Sequence, residues 1–314
     1  MYDNTQCSIL VDGQMTEWFE VLVGVRQGCI LSPSLFNLFL EFVIDELKTL
    51  REFHLSEDMS ADIRYADDTT LISVIFEKLK LSTQELELAC QKWGLKINAS
   101  KCKILSPESQ DTIEINGEPV ENVDQFVFLG SVVPNTSDDV KRRIALASSA
   151  FGRLKDNVWR NRAISSSLKM RLYASLILPI ATYASETWAL KVEDERRLQV
   201  FENDCLRSIV GKTRVDRCRL TDIRNQLNLK KTIIDVVQRK RLNWYGHVVR
   251  RNGDSNVYRA YKEEFPGKRP LGRPPKRWSD MVRKEMQTPL LSLESNAKDR
   301  ERWNRDVNKK CAKI

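Results

Sequence analysis

The rhythm of apolar and polar positions changes once along this chain, near Pro134. Before it, short β-prone runs alternate with two helical ones. Cys7 to Val11, the pair Asp12-Gly13, and Gln14 to Val23 predict a hairpin, because Asp-Gly suits the left-handed positions of a type I′ turn. Leu35, Phe36, Phe39, Phe42, Val43, Ile44 and Leu47 then recur at helical spacing, with Glu41, Asp45, Glu46 and Lys48 mostly opposite. Pro33 suits the first turn of that helix and Ser32 its N-cap. Residues 62–75 read as strand, turn and strand. A second helix is expected over 76–93, with Phe76, Leu79, Leu86, Ala89, Cys90 and Trp93 on one side and Gly94 closing it. Thr112 to Asn116, Asn116-Gly117 and Glu118 to Val120 predict another hairpin, and Phe126 to Val133 a strand.

After Pro134 the spacing predicts helices at about 138–160, 166–178, 180–190 and 193–210, with Pro179 kinking or dividing the second and third. Further helices are expected at 217–226 and 231–250. From Phe265 to Arg277, four prolines and two glycines in thirteen residues predict an extended linker. A last helix is expected at about 277–287 and again at 293–308. No internal repeat is evident. The apolar run from Leu172 to Ala184 is interrupted by Pro179 and falls short of the ~20 residues of a membrane span, so it reads as a buried helix.

At 314 residues, 30% charged and 41% hydrophobic, the chain has the composition of an ordinary globular protein of one or two domains. Charge changes the picture more. Residues 1–140 hold 10 Lys and Arg against 24 Asp and Glu, whereas residues 141–314 hold 41 against 19. The second half is the natural partner of a phosphate backbone. Seven scattered cysteines, none in C-x2-C spacing, read as reduced thiols of an intracellular protein, nuclear or cytoplasmic and not secreted. His54 and His247 stand at no zinc-finger interval from paired cysteines.

The candidate chemistry centres on Asp67-Asp68, two adjacent carboxylates between short apolar runs. Taken alone they are either a solvated acidic turn or half of a divalent-cation site, since a cation would relieve their mutual repulsion. Their company distinguishes the two. Arg26-Gln27-Gly28 with Ser32-Pro33 and Phe36-Asn37 lies upstream, Gly94 to Lys101 lies downstream, and Phe128-Leu129-Gly130 follows. In this order, around Tyr65-Ala66-Asp67-Asp68, the blocks resemble the palm of reverse transcriptases of the non-long-terminal-repeat, LINE-type retrotransposons. The tetrapeptide matches the Y-x-D-D box, and the upstream block the R-Q-G…S-P…F-N box. The resemblance covers roughly residues 1–215.

The resemblance implies an α+β fold: a partial palm, an antiparallel sheet with helices, over residues 1–135; a helical thumb over 136–215; and a basic helical region over 216–314 containing the linker at 265–277. It implies an RNA-directed DNA polymerase using Mg²⁺ or Mn²⁺, an RNA template, a DNA primer and dNTPs, in company with upstream parts of the same polyprotein and with no membrane. Asp67 would ligate metal directly and Asp68 more weakly. Arg26, Gln27, Gly28, Asn37 and Tyr65 would contact template and nucleotide, although Tyr65 reads equally as a strand aromatic. Lys101 would serve the departing pyrophosphate, with Cys102 where the family usually has Thr. Phe128, Leu129 and Gly130 would form the primer grip.

Lys141, Arg142, Arg143, Arg239, Lys240, Arg241 and Arg273 are the candidate contacts to a nucleic-acid backbone. Trp244 and Tyr245 beside them are either stacking surfaces or helix core. Gly272-Arg273-Pro274 matches the core of minor-groove hooks, a solvated linker or a nuclear-import signal alike. The family's first palm aspartate precedes the Arg26 block, yet Met1 stands only 23 residues ahead of Gly24, and Asp3 and Asp12 lie in turn-like contexts. The chain is therefore expected to be N-terminally incomplete and inactive alone. The rival expectation is a non-enzymatic nucleic-acid-binding remnant.

Overall fold

The computed structural model describes residues 5–47, 62–106, 112–251, 255–262 and 277–312. The architecture is mixed α+β, and the chain divides into two units, Met1–Val123 and Asp124–Ile314.

The first unit begins with the expected hairpin, built as two short ladders. β1 (Gln6–Cys7) pairs with β4 (Phe19–Glu20), and β2 (Leu10–Val11) with β3 (Gln14–Met15) around Asp12-Gly13. Two residues on one side and three on the other separate the ladders, which makes a bulge. Thr16 fills it: its Oγ1 accepts the Ile9 N–H at 2.9 Å and its carbonyl accepts the Ser8 hydroxyl at 2.8 Å. α1 (Ser32–Asp45) packs on α2 (Phe76–Lys92), burying Leu40, Val43, Ile44 and Leu47 against Ala89 and Cys90. Leu35 and Phe42, expected on the same face, are exposed, because the stripe that α2 covers is narrower than the apolar pattern.

Ser32 does not cap α1. Its hydroxyl turns back and donates to the Arg26 carbonyl at 2.6 Å, which leaves Leu31 as an N-cap without a side-chain bond. Gly94 closes α2 as expected. With φ at +74° it lets Leu95 N–H reach the Cys90 carbonyl at 2.8 Å while its own N–H bonds Gln91, the Schellman arrangement. β5 (Asp62–Tyr65) and β6 (Asp68–Leu71) form the hairpin expected over 62–75. β7 (Lys103–Ile104) pairs in parallel with β10 (Glu121–Asn122), and β8 (Glu114–Ile115) and β9 (Glu118–Pro119) turn at Asn116-Gly117. Ile104, Ile113, Ile115 and Val120 make a second small core there.

The second unit opens with a correction. Phe126 to Val133 is not one strand but a hairpin, β11 (Phe126–Phe128) and β12 (Ser131–Val133), reversed within two residues by positive φ at Leu129 and Gly130. The apolar run continues through the turn and conceals it. α3 (Thr136–Arg153) ends before a π turn at Lys155–Trp159, so the helix expected over 138–160 is broken at Leu154. α4 (Ser166–Leu172) passes through another π turn at Tyr173–Ile177 into α5 (Leu178–Ala181). That widened turn immediately precedes Pro179, which has no N–H to donate to a regular helix. The helix expected at 180–190 is absent beyond Ala181; Ser185–Thr187 is a single 3-10 turn.

α6 (Val192–Ile209), α7 (Leu220–Gln226) and α8 (Ile233–Val249) follow near their expected places, and α9 (Asn256–Lys262) was not anticipated. α10 (Trp278–Met286) leads to α11 (Leu290–Lys298) and α12 (Arg300–Ala312), where 293–308 was expected as one helix. The break is Asp299, whose Oδ1 accepts the N–H groups of Glu301 at 2.9 Å and Arg302 at 3.1 Å and so starts a new helix. The linker expected at 265–277 lies, up to Lys276, outside the described residues. No described helix is long and apolar enough to cross a membrane.

α8 is the spine of this unit. Thr232 and Asp235 cap its start reciprocally. Ile233, Ile234 and Val237 join a core with Trp159, Tyr173, Trp188 and Leu198; Leu242, Tyr245 and Val249 join a second with Val282, Leu293 and Trp303. At Gly246 the indole of Trp303 lies directly on the helix backbone, its Nε1 donating to the Leu242 carbonyl at 2.9 Å. Gly246→Ala therefore sets two effects against each other. Helix propensity favours alanine by about 1 kcal/mol. The added Cβ, however, would overlap Trp303 Cδ1 and Nε1, and Trp303 is buried and hydrogen-bonded, so it cannot yield cheaply. Overpacking of this kind costs roughly 1–3 kcal/mol or more, so the variant is expected to unfold at lower urea concentration. A midpoint at or above the wild-type value would show that Trp303 moves freely.

Candidate functional site

Asp67 occupies the two-residue turn of the β5–β6 hairpin together with Ala66, which adopts φ +52°. Asp68 opens β6, directly opposite Tyr65. Both carboxylates and Tyr65 are exposed, and among the described residues no basic side chain pairs with either aspartate. The alternation of the strand explains this. Asp62 and Arg64 turn inward while Ile63 and Tyr65 turn outward. Arg64 is then spent beneath the hairpin, on Asp62 at 2.7 Å and on Glu41 of α1 at 2.6 Å. That bridge docks the hairpin on α1. Asn37 lies one helical turn before Glu41 on the same face of α1 and is exposed.

The other candidates of this unit are held separately. Arg26 Nη2 donates to Thr5 Oγ1 at 3.0 Å, and its carbonyl receives Ser32, so its loop is tied to the start of the chain and to α1. Gln27 and Gly28 form the exposed turn that follows. Lys101 is exposed on the 3-10 turn Ala99–Lys101, which the Asn98 side chain caps, and it has no described hydrogen bond or ion pair to Asp67 or Asp68.

In the second unit the Phe128-Leu129-Gly130 turn is anchored through its carbonyls. Tyr183 donates its hydroxyl to Leu129 O at 2.9 Å, and Arg142 donates to Gly130 O at 2.8 Å. Arg143 donates to the same oxygen while its guanidinium lies 4.2 Å from the Tyr183 ring centroid. Burial lowers the Arg143 pKa and the nearby Asp139 opposes that shift. Asp139 also binds β12 and Trp188. Sequence reading passed over Asp139 and Tyr183, because their partners lie up to 54 residues away and nothing local marks them.

The backbone-contact candidates divide by burial. Lys141 is exposed beside Asp138 at 2.8 Å, and Arg239 is exposed with Nη2 3.1 Å from Asn308 Oδ1. Lys240 donates to the Thr182 carbonyl, and burial draws its pKa down. Arg143 and Arg241 are buried and spent on the protein's own groups, so the surface role expected of them does not fit their positions. Tyr245 is helix core, while Trp244 stacks on His247. Arg273 lies outside the described residues.

Residues 2–133 match the family model described as reverse transcriptase (RNA-dependent DNA polymerase). A transposon-derived protein of Caenorhabditis elegans is 28% identical over 261 residues, covering 77% of this chain and 93% of its own length. The Pol polyprotein of a type-1 R2 retrotransposable element of Nasonia vitripennis is 26% identical over 161 residues, 47% of this chain and 16% of that protein. The RNA-directed DNA polymerase of the mobile element jockey of Drosophila funebris is 23% identical over 245 residues, 73% of this chain and 26% of that protein. The chain thus spans about a quarter or less of the polymerases it matches.

Proposed function

We propose, from the premise that residues 2–133 of this chain belong to the reverse transcriptases of LINE type, that the chain supplies the Asp67-Asp68 half of a polymerase centre extending DNA on an RNA template. The observation that carries this is the exposed carboxylate pair, without a basic side-chain partner among the described residues, at the tip of a hairpin bridged to α1 by Arg64 and Glu41. Paired carboxylate oxygens suit Mg²⁺, with Mn²⁺ as its substitute. When bound, two such ions activate the primer hydroxyl and stabilise the departing pyrophosphate. Asp67 and Asp68 would hold them from one side, Asn37 would orient the nucleotide, and Lys101 would donate a proton to the pyrophosphate. In this reading residues 1–135 serve as palm with Phe128-Leu129-Gly130 as primer grip, 136–215 as thumb, and 216–314 as a basic extension in an intracellular setting.

The fit is incomplete within the described residues, where no group of three Asp, Glu, His or Cys side chains forms around the pair. Two carboxylates offset at most half the charge of two divalent ions, so this reading calls for a third ligand beyond the described side chains around the pair. Small misplacements at such a centre cost on the order of a hundredfold in rate. Primer extension on RNA by this chain is accordingly expected at least about a hundredfold below that of the same chain with a third carboxylate supplied beside the pair. Mn²⁺ titration should broaden resonances near the hairpin in the wild type and not in Asp67→Asn/Asp68→Asn. Equal broadening in both proteins would remove the metal site. Full extension by this chain, abolished in the double variant, would show that another carboxylate completes it. Nucleic-acid binding with neither metal binding nor extension would favour the remnant reading, for which the basic second half speaks.

A further inference from the structure

A polar groove runs between α8 and α12 and takes in Arg239, one of the candidate contacts to a nucleic-acid backbone. Arg239, Asn243, His247 and Arg250 recur along one flank of α8, and Arg300 and Asn304 face them from α12. The groove encloses about 420 Å³, and its lining contains no carboxylate. Its walls are set by the Gly246–Trp303 contact, which draws the two helices together just beneath it. At 1.5 Å per residue the α8 stripe is about 16 Å long, the reach of several nucleotides of one strand.

The charges are what make this groove unusual. Several exposed cations elsewhere in the unit stand beside carboxylates, as Lys141 does with Asp138, Arg160 with Asp156 and Arg214 with Asp204, whereas here three arginines converge from two helices. No described carboxylate pairs with Arg239, Arg250 or Arg300. Arg250 is steadied by the Ala297 carbonyl at 3.0 Å, and burial followed by the Arg300 charge lowers its pKa. Three guanidiniums thus line one groove whose lining holds no carboxylate. Trp244 stacks on His247 at 5.1 Å between centroids, which sets a flat aromatic pair at the rim.

We propose that this groove binds the phosphodiester backbone of a single nucleic-acid strand. The guanidiniums take phosphate oxygens, the asparagine amides add neutral donors, and the Trp244–His247 pair offers a base a stacking surface. The inference rests on the polymerase reading above, which brings nucleic acid to the chain. Its test uses the full chain, a short labelled RNA and a salt titration. Arg239→Glu/Arg300→Glu alters two exposed groove residues; Arg302→Glu/Lys309→Glu makes the same charge change on exposed positions of α12 outside the lining. Because both variants change net charge equally, long-range attraction cancels between them.

The groove variant is expected to bind at least about tenfold more weakly at low salt, with a log–log salt slope shallower by about 1.4, the value for two lost contacts on a single strand. The control is expected to keep the wild-type slope. Equal losses in the two variants, with wild-type binding intact, would overturn the groove and leave the polymerase reading standing. Absence of wild-type binding would overturn both. Displacement of RNA by millimolar inorganic phosphate at matched ionic strength would reassign the groove to a free anion and overturn the nucleic-acid site.

Discussion

Asp139→Ala is expected to lower the stability of residues 124–314 by about 3–5 kcal/mol, the cost of removing one partner from a buried charged network. Asp139 is 2% exposed and serves three elements at once. Its Oδ1 accepts the Val132 N–H at 3.0 Å; its Oδ2 accepts Trp188 Nε1 at 2.8 Å and the Ser131 hydroxyl at 3.3 Å. Arg143 Nε stands 3.8 Å away and balances the charge, and the first turn of α3 favours an anion there. Truncation strands two N–H groups at roughly 1–3 kcal/mol each and leaves Arg143 buried beside no anion. Asn is expected to rescue little, because its amide would set a donor against either Val132 or Trp188.

Urea unfolding followed by tryptophan fluorescence gives the stability, and amide exchange at Val132 reports the hairpin directly. A loss below about 1 kcal/mol would mean that another acceptor replaces the carboxylate. The consequence reaches the candidate primer grip, since Asp139 holds Ser131 and Val132 and Arg143 holds the preceding Gly130 of the same β11–β12 turn.

The second large effect concerns Arg241 and Glu285. They form an ion pair in the core, with Arg241 1% and Glu285 7% exposed. Arg241 Nε also donates to the Trp188 carbonyl at 3.2 Å. The pair is only half satisfied, because Arg241 Nη2 and Glu285 Oε2 have no hydrogen-bond partner. Arg241→Met, which abandons a buried carboxylate, is expected to cost about 3–5 kcal/mol. Arg241→Met/Glu285→Leu removes both desolvated charges and is expected to recover most of that loss, or to exceed the wild type. A double variant as unstable as the single one would show that the pair is worth more than its desolvation.

A pH dependence follows from the same pair. Burial pushes the Glu285 carboxyl up to about 7, against the pull of Arg241, from 4.5 in an exposed setting. The folded state then holds a proton that the unfolded chain releases, so this contribution is fully present below pH 4.5 and is lost as pH rises through about 7. Removing both charges should flatten stability across that window.

Local pattern alone determined a good part of this protein. Asp12-Gly13 and Asn116-Gly117 reversed their strands where expected, Gly94 ended α2, and the Asp67-Asp68 hairpin formed between its apolar runs. Each is settled within a few residues, by backbone conformations that few side chains tolerate or by period-two alternation. The family resemblance was legible for the same reason, because its motifs are contiguous. What tertiary structure alone decided are properties of burial and partnership. Arg142, Arg143 and Arg241 look alike in sequence, yet two are buried, because Gly130, Trp188 and Glu285 lie near them only after folding. Ser32 stands in capping position but serves Arg26, and Tyr245 is core while neighbouring Trp244 stacks on His247. The groove between α8 and α12 exists only because Gly246 lets Trp303 approach a helix 57 residues earlier in the chain. Sequence spacing records which residues share a helix face; which face meets another, and which charges remain unpaired, is set by long-range packing.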